Sequence, residues 1–175
     1  INISCPNSYG GQDFTDSKKL NKLLIQINKV RDNKPIFLKL SPDLTERQID
    51  SIIEVSKKYK VDGFICSNLT KKRENILDKN FPNIGGLSGK LVEEKSNKLI
   101  AYIYKKTKGK FVIIGCGGVF SAEDAYRKIK LGASLIQLIT GMISEGPQLI
   151  NEINRDLVKL LNHFSKYLSL LCSTC

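Results

Sequence analysis

No apolar run in this chain approaches the roughly 18 to 20 residues that a membrane-spanning helix needs. Nothing at its start has the basic, apolar and small-residue blocks of a secretory signal. Histidine occurs once, as His163 on what reads as the last helix, so a cysteine–histidine catalytic pair has little to draw on. Acidic residues are scarce, 17 against 28 basic, which leaves a formal charge of +11. Such a balance can serve nucleic acid, anionic lipid or an anionic ligand. A nucleic-acid surface needs a focused basic patch, whereas here only short clusters such as Lys71-Lys72-Arg73 occur. The charge is read as a solvated lysine-rich surface, and no nucleic-acid partner is expected. The five cysteines (Cys5, Cys66, Cys116, Cys172 and Cys175) are odd in number and scattered, against a disulfide framework. Cys172-Ser-Thr-Cys175 has a metal-site spacing but no second ligand pair, so no metal is expected. The chain opens at Ile1, inside what reads as the end of a strand, and the front of its domain is expected to precede it.

What is present suffices for one sizeable domain: 175 residues, 41% apolar and 26% charged. The apolar pattern switches period repeatedly. Ile1–Ile3 reads as a strand end. Leu20, Leu23, Leu24, Ile27 and Val30 fall at helical spacing. Residues 35–40 form a short apolar strand ended by Pro42. Thr45-x-x-Gln48 is a capping-box signature, followed by Ile49, Ile52 and Ile53 with Val55 at the edge of the stripe. A strand at 63–67 leads into a long polar loop from Asn68 to Ser88, of the kind that is usually functional. A helix from Leu91 to Thr107 should turn Leu99, Ile100, Ile103 and Tyr104 inward. A strand at 112–115, a helix opened by Ser121-x-x-Asp124 and stopped by Gly132, and a strand at 135–139 follow. Gly146-Pro147 starts a last helix carrying Leu149, Ile150, Ile153, Leu157, Leu160 and Leu161. Unbroken strand–helix alternation implies a parallel sheet, either doubly wound or closed into a barrel, and periodicity does not choose between them.

In parallel α/β folds ligands bind beyond the carboxyl ends of the strands, and polar and glycine residues gather there. Gly117-Gly118, followed by the helix from Ser121, can offer bare N–H groups to an anion. Thr140-Gly141 after the next strand would complete a phosphate cup. Lys39 interrupts an apolar strand, which is costly unless it is paired. It is either a core lysine satisfied by a carboxylate or a cation beside a cofactor that takes up negative charge. Asn2, Asn7 and Asn68 form turns singly but together suit a flat ligand with alternating carbonyl and N–H groups. Cys66 and Cys116 lie in or beside apolar runs and read as inert. Cys5 has polar neighbours and could act as a base or nucleophile.

Six ordered segments resemble the dihydroorotate dehydrogenases. They are Asn2-Ile-Ser-Cys-Pro-Asn7, Leu38-Lys-Leu-Ser-Pro-Asp43, Ser67-Asn68-Leu69-Thr70, Gly85-Gly-Leu-Ser-Gly89, Ile113-Ile-Gly-Cys-Gly-Gly118 and Gly132-Ala-Ser-Leu-Ile-Gln-Leu138, within a match from Ile1 to about Leu161. The resemblance implies an α/β fold, a TIM (β/α)₈ barrel represented by roughly its last five β/α units, with residues 1–175 as the C-terminal portion of one FMN-binding domain. It implies FMN against Asn2, Lys39, Ser67, Gly89, Gly117, Gly118, Ile139 and Thr140, and dihydroorotate against Asn2, Asn7, Asn68 and Leu69. Cys5 falls on the catalytic base. Gly85–Gly89 and Gly132–Leu138 are similar to the membrane-associated, quinone-using class, whose base is serine; a cysteine base belongs to the soluble, cytoplasmic class. Leu69 replaces a substrate-contacting hydroxyl, Ile139 replaces a tyrosine, and the loop Ser8–Asp13 lacks the quinone class's Pro-Gly-Leu-Arg. Quinone is the implied acceptor, with membrane association through a preceding region only. The isolated chain is expected neither to close the barrel nor to hold FMN well. The alternatives are a tRNA-dihydrouridine synthase-like FMN barrel and a non-catalytic fragment or paralogue.

Overall fold

The computed structural model describes residues 1–4, 14–73 and 85–172, with side chains described through 162. Helix α1 (Ser17–Val30) is capped by the Asp16 carboxylate, which accepts the Lys18 and Lys19 N–H groups at 3.0 Å each, and it buries Leu20 and Leu24. Strand β1 (Phe37–Leu40) follows, then α2 (Glu46–Lys58), β2 (Gly63–Cys66), a 3₁₀ turn (Gly89–Val92) and α3 (Glu93–Thr107). Strand β3 (Val112–Cys116), α4 (Ala122–Lys130), β4 (Leu135–Gln137), the short α5 (Thr140–Glu145) and the long α6 (Gln148–Cys172) complete the order.

The four strands form one parallel sheet in the order β1-β2-β3-β4. At its outer edge Asn2 makes a single parallel bridge to Lys39, so the strand end expected at Ile1–Ile3 reduces to that contact. The register shows how the sheet is covered. Leu38, Phe64 and Ile113 lie in one row and are fully buried, packed with Leu20 and Leu24 of α1, Ile52 and Ile53 of α2, and Ile100 and Ile103 of α3. Gly115, on the same face, lies against Lys128 of α4. The opposite row, Lys39–Ile65–Ile114–Leu135, is only half-buried and ends in the exposed Leu135. Helices α1 to α4 therefore cover one face, as in a barrel wall, whereas a doubly wound sheet is covered on both. A second small core, Val119, Ala125, Leu149 and Ile153, fixes α6 against α4.

The capping box at α2 forms as its sequence predicts. The Gln48 N–H donates to Thr45 Oγ1 at 3.3 Å, and the Thr45 N–H donates to Gln48 Oε1 at 3.0 Å. Thr45→Ala should destabilise the chain by about 1 kcal/mol, read as a lower urea midpoint at unchanged slope. An unchanged midpoint would mean that water replaces the cap without loss.

Several expectations are corrected. Tyr104 is not inward: it is 48% exposed, and its ring lies over Gly132 instead of in the core. Strand β4 stops at Gln137, because Leu138 and Ile139 leave the ladder to enter α5, which periodicity did not reveal. On α6 only Leu149 and Ile153 are buried among the described side chains, while Ile150 and Leu161 are exposed. Among the described residues no helix is long and apolar enough to cross a membrane.

Candidate active site

The carboxyl ends of the strands open onto one cleft of about 200 Å³. Lys39, Ser67, Gly89, Gly117, Gly118, Ile139 and Thr140 all line it, and so do Asn68 and Leu69. These residues come from four strand ends and the turn before α3, and 100 residues separate Lys39 from Thr140 in sequence. Cys5 and Asn7 lie outside the described residues. A more open groove of about 560 Å³ runs over α1 and α2 and gathers only helix side chains such as Lys22, Glu54 and Lys58. The smaller cleft is the one in which unlike chemistry converges.

Lys39 is half-buried, and among the described residues its ammonium makes no hydrogen bond or ion pair. The alternative of a core lysine satisfied by a carboxylate thus finds no partner there. Close by, Cys116 is 7% exposed. Burial pushes its thiol up, and the positive charges of Lys39 and Lys128 offset only part of that. Cys116 forms wall and is not a ready thiolate, as its apolar setting implies.

Beside Lys39, Asn2 and Asn68 meet. Asn68 Nδ2 donates to Asn2 Oδ1 at 3.0 Å and to the Ser4 carbonyl at 3.3 Å, while Asn68 Oδ1 accepts the Leu69 N–H at 3.0 Å. The two amides orient one another, and a ligand would have to exchange these bonds for its own. Leu69 packs its side chain on Gly86, where an added Cβ would stand 1.9 Å from Leu69 Cδ1. The Cys66–Ser67 peptide bond is cis, and the Ser67 N–H donates to the Cys116 carbonyl at 2.7 Å.

The segment expected to form an anion cup runs from the turn after β3 into the start of α4. Two amides around the start of α4 are already satisfied: the Phe120 N–H, just before the Ser121 cap, donates to Asp124 Oδ2 at 2.9 Å, and the Asp124 N–H donates to Ser121 Oγ at 3.3 Å. Burial raises the Asp124 carboxyl, but hydrogen bonds from Lys90 and the Phe120 N–H more than offset this and hold it below its ordinary value. The carboxylate therefore stands beside the start of α4 and takes the amide just before its cap. The Gly117 and Gly118 N–H groups, by contrast, have no protein acceptor among the described residues. Gly118 has φ +74°, and a Cβ there would meet Glu93 Cβ at 2.4 Å, so the turn is open to glycine alone. Across the cleft Thr140 Oγ1 and Ser88 Oγ are 3.1 Å apart. A cation and glycine amides without a partner among the described residues, together with two hydroxyls, give the cleft the chemistry to hold an anionic group.

Sequence reasoning missed part of this wall. Phe120 and Leu138 also line it, beside the Gly141 that the sequence points to. Asp43 holds the base of the polar loop, accepting from Thr70 Oγ1 at 2.6 Å and the Lys71 N–H at 2.9 Å, while Thr70 and Leu87 exchange backbone bonds. A carboxylate and a hydroxyl directly after successive strands were the available signal.

A family model described as dihydroorotate dehydrogenase matches residues 1–161. The dihydroorotate dehydrogenase (quinone) of Crocosphaera subtropica is 43% identical over 173 residues, covering 94% of this chain and 46% of that protein. The protein of the same name from Trichodesmium erythraeum is 39% identical over 171 residues, covering 93% and 45%. A crystal structure of DHODH from Eimeria tenella in complex with ferulenol superposes with a TM-score of 0.84 at 28% identity, over 95% of this chain and 50% of that one. The chain spans about half the length of the curated relatives it matches. Order of motifs, one-sided sheet and shared cleft agree with that match, and the chain belongs to the dihydroorotate dehydrogenase family.

Proposed function

We propose that this chain forms the C-terminal portion of an FMN-dependent (β/α)₈ barrel that oxidises dihydroorotate to orotate and passes the electrons to quinone. The observation that carries the proposal is the single cleft joining Lys39, Ser67, Gly117, Gly118 and Thr140 at the strand ends. The one-sided helix layer and the exposed Leu135 on edge strand β4 support a barrel wall that continues. The names of the quinone-type relatives support the acceptor. Quinone use would place the working enzyme at a membrane through segments outside these residues.

In this reading the Gly117 and Gly118 amides and the Thr140 hydroxyl hold the FMN phosphate. Gly89 and Ser67 border the cofactor, Asn2 contacts it, and Ile139 closes the edge without a polar contact. FMN, when bound, supplies the hydride acceptor. Lys39 places a positive charge where electron density arrives. Asn2, Asn7 and Asn68 orient the pyrimidine amides, with Leu69 as an apolar neighbour. The Cys5 thiolate would take the C5 proton while a hydride leaves C6 for the cofactor, so one proton and one hydride (two protons and two electrons in all) depart and a carbon–carbon double bond forms.

The test uses the protein as the cell makes it, assayed for dihydroorotate-dependent dye reduction. Cys5→Ala should lower turnover on the order of 10²- to 10⁴-fold while FMN stays bound. FMN bound with no activity in the unaltered protein would instead identify a non-catalytic paralogue.

A further inference from the structure

Among the described residues Lys128 is the largest polar side chain with no exposure at all, and no step above uses it. It lies on α4 behind the sheet, and its Nζ donates to Ser96 Oγ at 3.0 Å and to Asn97 Oδ1 at 2.8 Å. Neither partner is charged. The nearest carboxylates serve other cations: Glu93 and Asp124 bond Lys90 at 3.0 and 2.5 Å, and Glu93 also meets Arg127 at 3.3 Å. Neither carboxylate bonds Lys128, so its ammonium has no direct ionic partner among the described residues.

The Ser96 hydroxyl explains the placement. Its oxygen accepts from Lys128, so its one proton is directed at the two carbonyls beside it, Cys116 O at 2.7 Å and Cys66 O at 3.1 Å. Those carbonyls belong to the last residues of β2 and β3. The next residues are Ser67 and Gly117, both in the cleft wall. A buried lysine is costly and is kept only where its hydrogen bonds are well made.

We propose that Lys128 is a positioning residue of the cleft: its ammonium orders the Ser96 hydroxyl, which locks the ends of β2 and β3 together and sets the Gly117–Gly118 turn for an anion. The identity of that anion as the FMN phosphate rests on the proposed function; the locking does not. The groups facing Lys128 are Glu93, Ser96 and Asn97 from α3, Asp124 from α4, Cys66 from β2 and Cys116 from β3. Burial pulls the lysine down to about 8, with the surrounding carboxylates and thiols pushing the other way, whereas both thiols are pushed up. Lysine and thiols therefore titrate apart.

The experiment labels the native protein with [1-¹³C]cysteine and follows the Cys66 and Cys116 carbonyl resonances from pH 7 to 10. In the unaltered protein both should shift together with a midpoint near pH 8. The shift should vanish in Lys128→Met and leave this range in Lys128→Arg, whose guanidinium stays charged. Should Lys128→Met fail to fold, the arginine variant decides alone. Carbonyls that stay still, or move alike in the variants, overturn the proposal. FMN affinity, read by fluorescence quenching, should fall about tenfold from pH 7 to 9 in the unaltered protein and be weak and flat in Lys128→Met. The carbonyl shift without FMN binding would sink the cofactor reading and leave the positioning role standing. Equal FMN binding by both proteins at both pH values would sink the role.

Discussion

Gly118→Ala is expected to destabilise the protein by about 2–4 kcal/mol and to abolish measurable FMN binding. Two costs add. The backbone at Gly118 has φ +74°, where an alanine loses roughly 1–2 kcal/mol. The new methyl would also lie 2.8 Å from Glu93 Cα and 2.4 Å from Glu93 Cβ. Glu93 opens α3, and its carboxylate is tied to Lys90 and Arg127, so it cannot swing aside cheaply. The relief open to the chain is to move the turn, which displaces the amides proposed to hold the phosphate. Gly85→Ala is the control, because Gly85 has φ +84° but no atom within 4 Å of an added Cβ. It should show the conformational cost alone, about 1 kcal/mol, and bind FMN normally. Urea midpoints and flavin titrations of the two variants, side by side, separate clash from conformation. Equal losses in both would show that Glu93 yields and that the close approach carries no weight.

How much could be read beforehand depended on whether each residue's neighbours in sequence resemble its neighbours in space. The parallel strands were legible because residues such as Leu38, Phe64 and Ile113 are apolar runs between breakers, and buried strands have to be. Thr45 and Gln48 were legible because a capping box is local. Lys39 stood out as a charge inside an apolar run. Lys128 did not, because Arg127 and Lys130 flank it and the segment reads as a solvated helix end. Its signal was its phase: Ala122, Ala125 and Lys128 fall on one helical stripe, and all three are buried. Tyr104 failed for the opposite reason. Its phase is inward-facing, but its ring found Gly132, a partner distant in sequence that periodicity cannot see. The anion cup was half legible. The glycine pair and the Ser121-x-x-Asp124 helix start were visible, yet that the Asp124 carboxylate takes the Phe120 N–H, one residue before the cap, depends on a side-chain rotamer that spacing does not give.

Lys39→Met separates function from stability at the cleft and should move the two in opposite directions. Lys39 shares its row of the sheet with Ile65, Ile114 and Leu135, so it is the one charge in an apolar line. Without a partner among the described residues, its half-burial is a cost that no protein contact offsets. Methionine has nearly the same length and no charge. The variant should be as stable as the original or up to about 1 kcal/mol more stable, read from the urea midpoint. FMN affinity should fall by about 10- to 100-fold, the scale of one hydrogen bond to a charged group in a partly dry site. Its dependence on salt should shrink as well, since the lost attraction is one that salt screens. Lys39→Arg keeps the charge but presents a wider, planar fork, and should recover part of the affinity but not all of it. A methionine variant that unfolds more readily and still binds FMN normally would make Lys39 a structural lysine, and the cation beside the cofactor would have to be sought elsewhere.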